Sequence, residues 1–238
     1  GVVVTSATLT DPGARPPKDA QESDDEADSR WASAARVSGV NHLPGEPVRA
    51  QVRSPFNYPE NTRVYIITDV NKNDMAQVAT GYRALFEASG GGALGLFTAI
   101  QRLRAVHQTL APAMEAAGLP LYAQHADGLD PATLVDIFRG ERDACLLGTD
   151  AIRDGVDVPG DALRLVVFDR VPWPRPSLIH RARRQRFGGQ AYDDELIRLR
   201  LRQAFGRLVR RAHVQRRLRR ARREARRLGL GLPGRRRL

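Results

Sequence analysis

Residues 144–169 read ACLLGTDAIRDGVDVPGDALRLVVFD. The stretch opens on one short apolar run, ACLLG (144–148), and closes on a second, LRLVVFD (163–169), with a loop rich in Gly, Asp and Pro between them. Apolar runs this short, bounded by turn residues, suit strands that are buried on both faces, as strands of a parallel sheet are. The same rhythm continues outward. VYIIT (64–68), ALGLF (93–97) and LYAQ (121–124) are predicted strands, and helices are predicted over 73–89, 99–117 and 192–210. In the second of these, Ile100, Leu103, Val106, Leu110 and Met114 recur at helical spacing and Gly118 closes the run. Asp130-Pro131 supplies an N-cap followed by Pro at the first helical position, opening a further helix, ATLVDIFR. Strands alternating with helices at this spacing predict an α/β fold with a doubly wound parallel sheet. Such sheets bind ligands beyond the carboxyl ends of their strands, so the loops after ALGLF, ACLLG and LRLVVFD are where chemistry is expected. At the start of the chain, GVVVTSATL (1–9) reads as a strand entered midway, residues 11–30 as a polar, acidic loop, and residues 31–63 as mixed extended chain and turns.

Charge and cysteine narrow the function classes. The net charge is +11, and residues 211–238 hold twelve Arg against one Glu, so the tail carries all of the excess and the remaining 210 residues are neutral. One cysteine, Cys145, stands inside ACLLG. A disulfide framework, a Cys-rich zinc site and an iron–sulfur cluster are therefore not expected within this segment. No apolar run reaches the ~18 residues of a membrane span, and VVV is too short for a signal-peptide core. The expected setting is soluble and cytoplasmic, with no membrane partner.

Two nucleotide signatures tempt and fail. Asp25-Glu26-Ala27-Asp28 spells a metal-binding acidic box, but such a carboxylate sits at the end of a buried strand, and here DPGARPPKDAQES precedes it. An acidic loop or helix start is the expectation. No G-x-x-x-x-G-K-[ST] occurs: Gly90-Gly91-Gly92 is followed by ALGLF, and the two lysines, Lys18 and Lys72, follow no Gly-rich turn. His107, His125 and His180 lack a second ligand at metal spacing.

The loops themselves carry a resemblance. LLGTDAIRDGVDVPGDALRLVVFDRVPWPRP (146–176) resembles the fifth motif of XPD/DinG-like superfamily 2 DNA helicases, and QAFGRLVR (203–210) resembles the sixth. SPFNYPEN (54–61) is similar to the segment before their second motor domain, ALGLFTAIQRLRAV (93–106) to motif IV, and TSATL (5–9) to motif III. The order and spacing match over about residues 1–210. The resemblance implies a RecA-like second motor domain over 64–210, with 1–10 as the last strand of a first motor domain, 11–63 as linker and 211–238 as an Arg-rich tail. In that family the acidic box precedes motif III, so DDEAD, which follows TSATL here, is a coincidence of letters. The phosphate loop, the acidic box and any iron–sulfur insertion would lie upstream, making this chain the C-terminal part of an ATP-dependent helicase, inactive alone.

Residue roles follow in part from chemistry and in part from the resemblance. Gln203, Arg207 and Arg210 are separated by helical steps that put them on one face. Two guanidiniums so placed suit the charge on a transferring phosphoryl group, where an arginine finger contributes ~10³–10⁵ in rate; the bland alternative is a solvated face paired with Asp193, Asp194 and Glu195. By resemblance, Arg207 and Arg210 reach the γ-phosphate of ATP, with Gln203 beside them, and Asp157 orients them or touches the nucleotide sugar. Gly155 permits the close turn. Thr149 can donate hydroxyl and backbone N–H to a nucleic-acid phosphate. Thr98 matches a DNA-backbone contact and equally suits capping of the following helix. Thr5, Ser6 and Thr8 match the motif that couples hydrolysis to movement. Relatives usually carry an aromatic residue where Arg153 stands and Glu where Asp154 stands. Trp173 suits base stacking or packing between its prolines. The implied cofactors are ATP and Mg²⁺, held mainly by a first motor domain, and the implied partners are that domain and single-stranded DNA. In the tail, Leu218, Ala221, Ala225 and Leu228 recur at helical steps on a basic helix suited to phosphates. An out-of-frame origin is the favoured alternative, because Arg outnumbers Lys 36 to 2 and the resemblance ends there. A non-catalytic nucleic-acid-binding protein acting through this tail, or a decayed gene fragment, are the competing readings.

Overall fold

A computed structural model of the chain describes residues 2–6, 9–10, 24–52, 58, 62–149, 152, 158 and 162–208, with the backbone alone at 24–30 and 207. The chain divides into two compact units, Gly1–Pro55 with Pro172–Gln203, and Phe56–Val171 with Ala204–Leu238.

The second unit holds the sheet. Its strands are β1 (Ala93–Leu96), β2 (Leu121–Ala123), β3 (Cys145–Gly148) and β4 (Leu165–Phe168), in the order β2-β3-β1-β4, and every pairing is parallel. Register is regular: Ala93 faces Cys145 on one side and Leu165 on the other. Parallel neighbours require crossovers: α3 (Ile100–Ala116) connects β1 to β2 and α4 (Pro131–Gly140) connects β2 to β3, while α2 (Met75–Ser89) leads into β1 and α1 (Asp24–Ser38) belongs to the other unit. The fold is α/β and RecA-like, as the resemblance implies.

Period-two alternation along the strands sorts side chains into two cores. Ala93, Phe97, Cys145 and Leu147 join Tyr82 and Phe86 of α2 and Leu103, Val106, Leu110 and Met114 of α3. Leu94, Leu96 and Leu146 turn the other way, onto Leu134, Val135 and Phe138 of α4 and onto Ile152, Val158 and Leu163. Cys145 is fully buried, and burial pushes its thiol up to about 12. α2 and α4 begin as their sequences predict, with Asp74 accepting from the N–H of Ala76 and Gln77, and Asp130 from those of Ala132 and Thr133.

The glycine cluster that lacks a lysine works at the opposite end of the sheet from the loops of interest. Gly90 ends α2 in the left-handed conformation, with φ 65°. A Cβ on Gly91 would stand 1.9 Å from the carbonyl oxygen of Asp143, and one on Gly92 2.6 Å from the Arg164 guanidinium carbon. Arg164 lies inside this floor, donating to Ser89 O, Gly90 O, Arg142 O and Asp143 Oδ1.

Three expectations need correction. VYIIT forms no strand: Val64 and Ile66 are 73% and 76% exposed and Tyr65 and Ile67 46% and 43%, so both faces of the run meet solvent and no strand pairs with it among the described residues. Residues 2–6 likewise form no strand, with Val2, Val3 and Val4 exposed. The loop read over 11–30 gives way at Asp24, where α1 starts, so the acidic run is a helix start, the second of its two expected forms. The Ala-rich stretch after Asp28 favours helix, and the acids at its start complement the positive end of the helix dipole.

In the first unit, α1 meets α5 (Leu178–Arg186) and α6 (Gln190–Leu208), the latter running on into the second unit. Arg36 Nη2 lies 2.8 Å from Glu195 Oε2, and its guanidinium sits 5.4 Å from the centre of the Phe187 ring. α5 was not predicted from the sequence; Ser177 caps it through the N–H of His180. Among the described residues no helix is long and apolar enough to cross a membrane.

Candidate functional site

Each strand of the sheet hands over to a polar residue at its carboxyl end. In spatial order these are Gln124 after β2, Thr149 after β3, Thr98 just past β1 and Asp169 after β4. Neighbouring strands are ~4.8 Å apart, so the row is set by the sheet itself. The backbone continues the ladder here: Phe97 N–H donates to Gly148 O at 2.8 Å, Gln124 N–H to Leu147 O at 2.9 Å, and Asp169 N–H to Leu96 O at 3.0 Å.

Thr98 stands two residues ahead of α3. The N-cap of that helix is Ala99, which has no side chain able to cap, so Thr98 does not take the capping role its sequence position allows. α3 thus starts with first-turn N–H groups that no side chain caps, next to a hydroxyl with no partner among the described residues. Helix starts of this kind favour anions.

Thr149 is differently engaged. Its backbone N–H and its hydroxyl both donate to Gln124 Oε1, at 2.9 and 2.8 Å. The two donors expected to meet a phosphate oxygen converge on one carboxamide oxygen. Gly148 makes the geometry possible, because a Cβ there would lie 2.6 Å from Ile152, whose N–H closes the turn on Thr149 O at 3.0 Å. Gln124 is 3% exposed, one of two buried polar residues among the described ones. Its role was not read from the sequence, where LYAQ registers as a strand. The available signal is a polar residue ending an apolar run.

At the far edge, Asp169 is paired with Arg102 of α3, Nε to Oδ2 at 2.7 Å and Nη2 to Oδ1 at 2.6 Å. Arg102 also donates to Lys72 O, and Arg170 to Asn73 Oδ1, so the loop before α2 is tied to the end of β4. The Asp169 bond raises the Arg102 pKa further.

The nucleotide-side expectations fall as follows. Arg207 lies in α6 with its side chain outside the described residues, and Arg210, Gly155, Asp157 and Thr8 lie outside them altogether. Gln203 is exposed on α6, one residue before Ala204, which is 1% exposed. Leu208 packs against the second core and Phe205 against Tyr58, with ring centres 5.7 Å apart. The acids of the bland alternative have other partners: Asp193 meets Arg184 and His180, Asp194 accepts from Gln190, and Glu195 meets Arg36. Thr5 and Ser6 lie outside any helix or strand and are exposed. Trp173 is 52% exposed, so most of its ring is not packed. Among the described residues no group of three or more His, Cys, Asp or Glu side chains could hold a metal ion. Buried, solitary Cys145 does not fit an iron–sulfur cluster.

The sequence profile of the helicase C-terminal domain family matches residues 82–215. Similar curated proteins include the 3′-5′ exonuclease DinG of Bacillus subtilis, 35% identical over 138 residues that make 55% of this chain and 15% of that protein. The ATP-dependent helicase DinG of Mycobacterium tuberculosis is 33% identical over 131 residues, 53% of this chain and 19% of its own. The ATP-dependent DNA helicase YoaA of Escherichia coli is 27% identical over 168 residues, 66% and 26% of the two chains. The matches thus span between 15% and 26% of the length of these relatives.

Proposed function

The chain belongs to the helicase C-terminal domain family, and from that premise we propose that it is the second motor domain of a DinG-like, ATP-dependent DNA helicase. The observation that carries this reading is the row of Thr98, Gln124 and Thr149 at the carboxyl ends of three adjacent parallel strands, within the stretch the family profile covers. Polar donors in that position suit a sugar-phosphate backbone, since phosphate contacts hold a strand without reading its bases.

On this reading single-stranded DNA crosses the strand ends, and Thr98 and the uncapped start of α3 hold one phosphate. ATP and Mg²⁺ are gripped by a first motor domain. Arg207 and Arg210 meet the γ-phosphate as charge builds in the transition state, with Gln203, Gly155 and Asp157 completing the nucleotide edge. Thr5, Ser6 and Thr8 link hydrolysis to the motion of the two halves.

The test is ATP turnover in a protein that joins this chain to a half carrying a phosphate loop. Arg207→Ala and Arg210→Ala should each lower DNA-stimulated kcat by about 10³-fold, with single-strand affinity unchanged. Turnover that survives both substitutions sinks the motor reading. The competing reading, a binding protein acting through residues 211–238, predicts that DNA affinity resides wholly in the tail.

A further inference from the structure

We propose that Gln124 donates a hydrogen bond from Nε2 to the backbone of the bound strand, and that Thr149 acts through it by fixing the carboxamide. The proposal rests on the strand-end row being a nucleic-acid track, and it changes which atom does the gripping beside β3.

The orientation of the carboxamide follows from its partners. A backbone N–H only donates, so the Gln124 atom 2.9 Å from Thr149 N must be the acceptor, Oε1. The Thr149 hydroxyl reinforces this from 2.8 Å. With the backbone N–H of Gln124 held by Leu147 O, the side chain is pinned at both ends. Nε2 is then turned away from Thr149, carrying two N–H donors and no partner among the described residues. Among the described residues, Tyr82 Oη is a side-chain polar atom that is enclosed and makes no hydrogen bond; Nε2 of Gln124 is not enclosed in that way, so the sliver of this residue that remains open includes its donors. A buried side chain that spends its acceptor on a neighbour and keeps an open pair of donors is built to receive an acceptor. At the end of β2, next to Thr149 and Thr98, the acceptor on the proposed track is a phosphate oxygen.

Thr149 cannot reach that phosphate with the same donors without releasing Gln124, which would leave a buried carboxamide oxygen unsatisfied. The arrangement in which Thr149 keeps Gln124 and Gln124 holds the strand keeps the carboxamide oxygen satisfied and gives Nε2 an acceptor. It also widens the track by one strand, from β3 and β1 to β2.

Gln124→Glu separates this from a bracing role. The carboxylate still accepts from both Thr149 donors, so folding and the Thr149 turn are kept, but the outward donors become an anion facing phosphate. Binding of fluorescent (dT)₂₀ and (dA)₂₀ to the whole chain should weaken by about tenfold for both. Gln124→Leu, which is neutral, should weaken binding with an unchanged slope of log K against log salt, because a neutral donor releases no counterion. Affinities are compared at a salt concentration high enough that the basic tail no longer holds the probe, so that the strand-end contacts alone are read. In the native chain, the ¹⁵N resonance of the Gln124 side-chain amide should shift on adding (dT)₂₀, which needs no substitution to fold. Parental affinity in Gln124→Glu overturns the proposal and leaves Gln124 as a brace for Thr149. A loss confined to one base, or a side-chain resonance that DNA does not move, overturns it as well. The Arg207 experiment fails independently: an ATPase indifferent to Arg207 with a DNA-sensitive Gln124 would remove the motor and keep the contact.

Discussion

Tyr82 carries a hydroxyl that works against the fold. Its ring stacks on Phe97 at 5.1 Å and meets the edge of Phe86 at 5.5 Å. It lies so close to β1 that a Cβ on Gly95 would stand 2.7 Å from its Cε1. Oη, however, is enclosed and has no partner. A buried hydroxyl without a hydrogen bond costs its hydration, so Tyr82→Phe should stabilise the chain by ~1 kcal/mol in urea denaturation. Gly95→Ala should do the reverse, by about 1–3 kcal/mol, because the ring and Leu147 leave a methyl no room. pH adds an independent check. Burial, and then the charge of Asp169, raise the Tyr82 pKa well above its ordinary value, with Arg102 opposing. Below the unfolded value of ~10 the phenol is protonated in both states and contributes no pH dependence. Above it the unfolded chain releases the proton first, so stability falls as pH rises. The parent should therefore lose stability above that pH faster than Tyr82→Phe, as thermal melts of the two at increasing pH would show.

Elements are held at the strand ends by an ion pair that no local pattern announces. Arg102 on α3 and Asp169 after β4 are 67 residues apart in sequence, and the Asp169 side chain is 1% exposed. Arg102→Ala strands a buried carboxylate and should cost ~3–5 kcal/mol, whereas Arg102→Leu combined with Asp169→Asn should recover part of that loss. Chemical denaturation of the three proteins checks both. The pair also shows where sequence legibility ends. α3 and its buried face were readable because periodicity is local, and so were the Asp74 and Asp130 caps. The partner of Arg102, the Gln124–Thr149 lock and the Arg164 floor were not, since each joins segments that only the closed sheet brings together. VYIIT errs in the other direction. Its β-branched residues favour an extended chain, but propensity does not supply a neighbour to pair with, and both of its faces stay wet. α5 was missed because its run, LIHRARRQR, has no buried residue and hence no apolar stripe to read. Of the candidate site, sequence position found Thr98 and Thr149 as the ends of strands, but assigned Thr149 donors that the structure spends on Gln124.

For the whole chain the decisive quantity is where charge resides relative to the sheet. The excess of +11 equals the charge of residues 211–238, leaving the stretch that carries the strand-end row neutral overall. Two modes of nucleic-acid binding then differ in their response to salt. Binding through twelve arginines displaces many counterions and must weaken steeply as salt rises. Binding through hydroxyls, a carboxamide and a helix start displaces few, and should persist where the tail no longer holds. A salt titration of (dT)₂₀ binding should therefore be biphasic in the intact chain, with a steep phase and a shallow residual. Thr98→Ala should lower the residual while leaving the steep phase as it was. A single steep phase, indifferent to Thr98, would assign all affinity to the tail and favour the binding-protein reading over the motor. ATP gives the complementary observation. The sequence has no Lys after a Gly-rich turn to grip phosphates, so the 238-residue chain alone should show no turnover at any salt concentration. Joined to a half that supplies the phosphate loop, it should hydrolyse ATP only under conditions where the shallow phase is occupied, because on the motor reading it is the strand lying across β2, β3 and β1 that drives the two halves together.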